Sequence, residues 1–218
     1  MNGGTLSLTV RGENLLLHPE RALLWPRRNT VIVADTHFGK SSFFSRHGIA
    51  VPAGTDDADR LRLTRLVQDS GAERLIILGD FLHAPIDADS QDALALSAWA
   101  RELAPAQVVV VAGNHDRGAP RYESSIAWRE GLWPEPPFCF VHDAAHMKND
   151  AGEFFTLSGH IHPVVRLHKT GMRVPVFWRQ STGLVLPSFG QFTGGFAVRC
   201  GESEQAFAVG PSAVRRIR

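Results

Sequence analysis

Three short runs constrain what this chain can fold into more than any other feature. Thr30–Ala34, Arg74–Leu78 and Gln107–Ala112 each open on a polar residue and continue in unbroken Val, Ile, Leu or Ala. A strand with one wetted face alternates apolar and polar residues, whereas a run that is apolar throughout is buried on both faces. The segments between the runs carry helical spacing. One helix is expected from Thr55 to its stop at Gly71, with Leu61, Leu63, Leu66 and Val67 on its apolar side. Another is expected from Asp89 to Leu103, stopped by Pro105. Such alternation builds a parallel sheet with helices packed on it.

Ahead of these runs, Thr5–Val10 and Asn14–Leu17 flank the turn Arg11-Gly12-Glu13, predicting a hairpin over about 5–17, and Ala22–Trp25 is a short strand ended by Pro26. Past Gly39 the sequence reads as a loop of roughly fifteen residues, long enough to be functional. Residues Arg121–Glu130 are expected to be helical and Pro134–Pro137 stiff. Phe138–Val141, Phe154–Leu157, Val164–His168, Val174–Arg179, Gly183–Leu186, Gly195–Arg199 and Ala206–Val209 read as strands, and the basic tail Arg215–Arg218 as frayed. The whole is an α/β (α+β) pattern, two facing sheets flanked by helices, expected to form one domain over 1–218. With 218 residues, 44% of them hydrophobic, there is enough material for a sizeable core. The net charge of +1 neither demands nor excludes a nucleic-acid partner. Two cysteines, Cys139 and Cys200, make no disulfide framework. No secretory leader and no membrane-length apolar run is visible, so a cytoplasmic protein without membrane contact is expected. Nothing in the residues fixes an oligomeric state.

Residues able to hold a metal follow five of these strands: Asp35-x-His37, Asp80, Asn114-His115, His142 and His160-x-His162. In Gly113-Asn114-His115-Asp116 the glycine permits a sharp turn, Asn114 offers a carbonyl oxygen to a hard cation, and His115 puts an imidazole at the tip that Asp116 can orient. Alone, the tetrapeptide also reads as an ordinary strand-to-helix turn. With His115 set aside, the rest supply two carboxylates, an amide oxygen and four imidazoles. That mixture suits two divalent ions such as Mn²⁺, Fe²⁺ or Zn²⁺, lacks sulfur for Cu(I), and is rich in nitrogen for Mg²⁺ or Ca²⁺.

In this order, Asp35-x-His37, Gly79-Asp80, Gly113-Asn114-His115-Asp116, His142 and Gly159-His160-x-His162 resemble the signature of the calcineurin-like metallophosphoesterases, across about residues 30 to 163. The resemblance implies a four-layer sandwich of two mixed sheets between helices, with no separate capping domain, and a dinuclear centre. One ion would take Asp35, His37, Asp80 and His162. The other would take Asp80, Asn114, His142 and His160, with Asp80 bridging and His146 competing with His142. Water acidified between the ions would attack phosphorus in line, while His115 donates to the developing charge or leaving group.

Finer features bear on the substrate. Gly79-Asp80 is followed not by Arg-Gly but by Phe81-Leu82-His83, similar to the superfamily's repair nucleases, which makes His83 a contact to the phosphodiester or a support for Asp80. The string Ala34–Phe43, then Arg46-x-Gly48 and Val51-Pro52, resembles the bacterial ligase-associated DNA damage response endonucleases. Those are manganese-dependent enzymes of single-stranded DNA whose genes cluster with a helicase, a ligase and an exonuclease. Lys40, Arg46 and Asn114 are then candidate contacts to the phosphate. Phe43 and Phe44 either stack on bases or pack their loop down. Arg117 and Arg121 could extend a basic path. A hydrolase of small phosphodiesters or phosphomonoesters shares every ligand, and a non-catalytic scaffold would be expected to have lost some.

Overall fold

The three apolar runs form the centre of a seven-stranded sheet in the computed structural model, which describes residues 4–50, 54–117, 125–146, 154–167 and 170–218. Its strands follow chain order: β1 (Leu6–Val10), β2 (Glu13–His18), β3 (Ala22–Trp25), β4 (Thr30–Val33), β5 (Arg74–Leu78), β6 (Gln107–Val111) and β7 (Ile126–Arg129). β1 to β4 pair antiparallel and β4 to β7 parallel. The second sheet contains β8 (Trp133–Glu135), β9 (Phe138–Phe140), β10 (Phe155–Ser158), β11 (Pro163–Arg166), β12 (Arg173–Arg179), β13 (Gly183–Val185) and β14 (Phe196–Ala197), in the order β14-β11-β12-β13-β10-β9-β8. β15 (Gln205–Val209) joins it on β12, and β16 (Val214–Arg216) joins on β15. Both sheets are mixed.

The period of two along each strand explains the unbroken apolar runs. Ile32, Ile76, Leu78 and Val111 face the second sheet and meet Phe138, Phe140, Phe155, Leu157 and Phe177. Val31, Val33, Leu75, Ile77, Val108 and Val110 face the other way, under the helices α2 (Thr55–Ser70) and α3 (Gln91–Glu102), where they meet Leu63, Leu66, Val67, Leu96 and Trp99. Each such side chain contributes about 1.5–3 kcal/mol by leaving water. Gly71 closes α2 at φ +65°, and Ser90 caps α3 by accepting the Ala93 N–H at 3.2 Å. Arg74 of β5 reaches Glu135 of β8 through two hydrogen bonds of 2.9 and 2.8 Å, tying the sheets together at one edge. Among the described residues no helix is long and apolar enough to cross a membrane.

Several local expectations are corrected. The stretch after Gly39 is not all loop: Lys40–Arg46 forms a short helix, α1. Its sequence carries no strong helix signal; partners on the neighbouring helices hold it. Asp56 of α2 accepts the Ser41 N–H at 3.3 Å, satisfying a donor at the helix start, and Ser42 Oγ donates to Asp92 of α3 at 2.9 Å. Ile126–Arg129 is strand rather than helix, because β6 offers a free parallel edge to a β-branched and aromatic segment; residues 121–124, with Arg121, lie outside the described residues, as do Val51, Pro52, His168 and Lys169. Trp133–Glu135 pairs with β9 rather than standing as a stiff linker. The tail is not frayed, since Val214–Arg216 pairs with β15. Leu61 is half exposed although Leu63, Leu66 and Val67 are buried, because two residues along a helix turn the side chain about 200°.

Candidate metal centre

All five strand ends carrying candidate ligands open on one rim. β4 delivers Asp35 and His37, β5 delivers Asp80, and β6 delivers Asn114 and His115; from the second sheet β9 delivers His142, and β10 delivers His160 and His162. Backbone bonds lock these ends together: the Asp35 N–H reaches Gly79 O at 3.1 Å, the His37 N–H reaches Asp80 O at 2.9 Å, and the Gly159 N–H reaches His142 O at 3.0 Å. Two carboxylates also fix neighbouring loops. Asp35 accepts the His160 N–H, and Asp80 accepts the His115 N–H at 3.0 Å.

Two glycines make room for this convergence. A Cβ on Gly79, at φ +78°, would lie 2.1 Å from the His142 ring; one on Gly113 would lie 2.3 Å from the Asp80 backbone nitrogen. Gly113 does not need a positive φ, so its constraint is close approach rather than the turn. Asp35, His37, Asp80, His160 and His162 all hold left-handed backbone, with φ from 46° to 74°. Non-glycine residues rarely adopt that conformation, and Asp and His are among the few enriched there.

The side chains form two pockets that share Asp80. In the first, Asp35, His37, Asp80 and His162 present ligand atoms within 4.8 Å of one another; in the second, Asp80, His142 and His160 do so, with Asn114 Oδ1 3.0 Å from His142 Nε2. Proton positions test whether cations fit. His142 Nδ1 donates to the Leu78 carbonyl at 3.1 Å, leaving Nε2 as a lone pair. That lone pair faces the Asn114 oxygen and, at 3.4 Å, the Asp80 carboxylate, two further acceptors. In the first pocket His37 Nε2 and His162 Nε2 stand 3.4 Å apart, with Asp35 Oδ1 3.4 Å from the latter. His160 Nδ1 also stands 3.0 Å from His142 Nε2, so imidazole nitrogens and carboxylate oxygens crowd one another at distances a shared cation would satisfy. Burial, helped by His162 and Lys40, pushes His37 down to about 2, so it stays a neutral donor. The donor set therefore fits two divalent ions, and His142 stands in the cluster; the side chain of the competing His146 lies outside what the structure describes.

His115 stands beside the pockets, more than a third exposed, with Nε2 4.0 Å from Asp80. Its orienting partner is not Asp116, as expected, but the His83 carbonyl, which takes the Nδ1 proton at 2.6 Å. Asp116 is buried and accepts N–H groups from Gly113, Leu82 and Phe81 at 2.9, 2.9 and 3.2 Å, stapling the loop after Asp80 to the turn after β6. Burial outweighs those donors and pushes its carboxyl up. Two positions after Asn114, Asp116 had two readings in the sequence, and only the backbone shows that its acceptors face inward. The His83 ring stacks on His115 at 5.4 Å and 22°. Burial, followed by the charges of Lys40 and His115, lowers His83 to about 4. Lys40 sits half-buried in α1 against the Phe44 ring. Arg46 is not part of the cluster; it faces Asp92 at 4.0 Å.

Two cation pockets sharing one carboxylate, on the rim of two facing mixed sheets, define a two-metal hydrolytic scaffold. Residues 28–189 match the family model described as calcineurin-like phosphoesterase, and the chain belongs to that family. Every candidate ligand lies within the matched span. Among solved structures, the crystal structure of Pseudomonas putida nuclease MPE is similar at 33% identity and a TM-score of 0.83, covering 98% of this chain and 100% of that one. Yfce, a phosphoesterase from E. coli, is 16% identical with a TM-score of 0.41, covering 82% of this chain and 86% of that one, too loose a likeness to transfer anything. Comparison with curated proteins gives no significant match.

Proposed function

We propose that this chain is a manganese-dependent endonuclease of single-stranded DNA acting in repair, in the manner of the ligase-associated DNA damage response group. The observation that carries this is the stacked His83–His115 pair held beside Asp80, a proton-donating group at the mouth of a two-ion site. The 33% identity over nearly the whole chain to a protein described as a nuclease supports it.

Asp35, His37, Asp80 and His162 would hold one ion, and Asp80, Asn114, His142 and His160 the other; Mn²⁺ heads the choice, with Fe²⁺ and Zn²⁺ next. Such ions neutralise phosphoryl oxygens and acidify water near neutral pH. The chain's own residues do the rest. Asn114 fixes a phosphoryl oxygen as well as an ion. His115, its Nδ1–H tied to the His83 carbonyl, aims Nε2–H at the leaving oxygen and gives up that proton as the bond breaks. His83 braces His115 through its carbonyl and its ring. Lys40 adds positive charge on the His83 side of the centre. Arg46 joins the substrate only by leaving Asp92. Residues 1–218 act as one catalytic domain with a cleft that admits a polymer. A cytoplasmic setting beside a helicase, a ligase and an exonuclease belongs to the same proposal.

Covalently closed single-stranded DNA circles test it, because a circle has no ends and yields linear product only by internal cutting. Mn²⁺-dependent linearisation by the wild type, falling about 10²–10⁴-fold in His115→Ala, is expected. Intact circles alongside hydrolysis of a chromogenic phosphodiester would instead assign a small-molecule phosphodiesterase.

A further inference from the structure

Helix α1 holds an aromatic residue that stands outside both main cores. None of its seven residues is buried, so Phe44 adds nothing to the main cores. Its ring lies 5.4 Å from that of His83 at 33°, and His83 continues onto His115 at 5.4 Å and 22°. Phe44, His83 and His115 thus form a row of rings, the first pair tilted and the second stacked, that starts beside the metal pockets and ends on α1. Lys40, one turn earlier on the helix, places its ammonium 5.9 Å from the Phe44 centroid. Phe43 has a different part: it meets His83 edge-on at 76° and leans over His47 at 4.4 Å, so it buttresses the row from the side.

We propose that Phe44 is the platform on which the base next to the cut phosphate stacks, with Lys40 on the adjoining phosphate, so that α1 is the element selecting unpaired strands. The proposal rests on the nuclease reading above. A nucleobase offers the same flat π surface as the rings already in the row, and stacking on an aromatic side chain is tolerant of sequence. In a duplex both faces of each base are occupied by its neighbours. Only an unpaired base can leave that stack and lie on Phe44.

The test compares an end-labelled oligothymidylate with the same oligonucleotide carrying abasic sites. Affinity is read as fluorescence anisotropy with metal-stripped protein, and as the half-saturating protein concentration for single-turnover cutting in Mn²⁺. Wild type should prefer the intact oligonucleotide by about 5- to 150-fold. In Phe44→Ala and Phe44→Leu that preference should collapse toward unity, and in Phe44→Trp it should persist. Phe44→Leu keeps the apolar bulk, so loss of preference there reflects the missing π face rather than a disturbed helix. Preservation of the wild-type preference in both Ala and Leu variants would overturn the platform while leaving circle cutting, and hence the nuclease, intact. So would equal loss of affinity for both oligonucleotides, which would make Phe44 a mere prop for His83. A wild type that neither binds the oligonucleotide nor cuts circles would overturn the nuclease itself and the platform with it.

Discussion

Replacing Gly79 by alanine should remove His142 from the metal centre. The added Cβ would fall 2.1 Å from His142 Nδ1, 2.3 Å from Cγ and 2.6 Å from Cβ. Ordinary contact needs ~3.5 Å, so the whole side chain must retreat by about 1 Å or more, and a ring rotation is not enough because its own Cβ is overlapped. The retreat breaks the Nδ1–H bond to Leu78 and pulls Nε2 away from Asp80 and Asn114. Left-handed backbone for alanine, the lost hydrogen bond and local overpacking together cost about 3–5 kcal/mol. Gly71→Ala supplies the control: Gly71 has a similar φ of +65°, but nothing lies within 4 Å of its Cβ position. That variant bears only the backbone term, about 1–2 kcal/mol, or a melting temperature lower by a few degrees. Calorimetric melting of metal-stripped protein and Mn²⁺ titration calorimetry read the two effects separately. Gly71→Ala should bind two Mn²⁺, whereas Gly79→Ala should bind one and melt well below the control. Identical melting and stoichiometry in the two variants would refute the packing argument.

Asp116→Ala strands three buried N–H groups, so metal-stripped protein should lose about 3 kcal/mol in denaturant unfolding, while Mn²⁺ stoichiometry stays at two because Asp116 is not a ligand. The pH profile of metal-stripped protein should slope upward with pH below neutrality. His83 is lowered to about 4 from an ordinary 6.5, so between those values the unfolded chain binds the proton that the folded one refuses, and stability falls as pH drops through that window. His37, lowered further to about 2, adds to the same slope, so His83→Gln should reduce it without abolishing it in urea titrations run from pH 4 to 7; an unchanged slope would show that His83 is not responsible. Mn²⁺ should stabilise the folded chain by about 2.7 kcal/mol per site at a hundredfold excess over Kd, read in calorimetry as a melting temperature that climbs with the logarithm of free ion.

Much of the fold was legible in the sequence because burial on two faces leaves a distinctive mark. β4, β5 and β6 needed no tertiary information, and Gly71 and Pro105 marked where the two long helices stop. The errors fell where a partner decides the outcome. α1 exists because Asp56 and Asp92, far along the chain, offer acceptors to its first turn. β7 exists because β6 has an edge to fill. The residues gathered into the two pockets were all marked by their place after strands. The partnership between His115 and the His83 carbonyl was not, because a backbone oxygen leaves no trace in residue identity.

The left-handed backbone at Asp35, His37, Asp80, His160 and His162 also restricts how this protein can drift. A residue with a branched or bulky Cβ at any of these positions meets a conformational penalty before the question of metal binding arises, about 1–2 kcal/mol each. Asparagine and glycine meet little of it. Descendants that abandon catalysis should therefore lose their ligands mostly through Asn or Gly, keeping the rim's shape after its chemistry is gone. Such a rim would be a ready-made cavity for a new ligand, reached without passing through an unfolded ancestor.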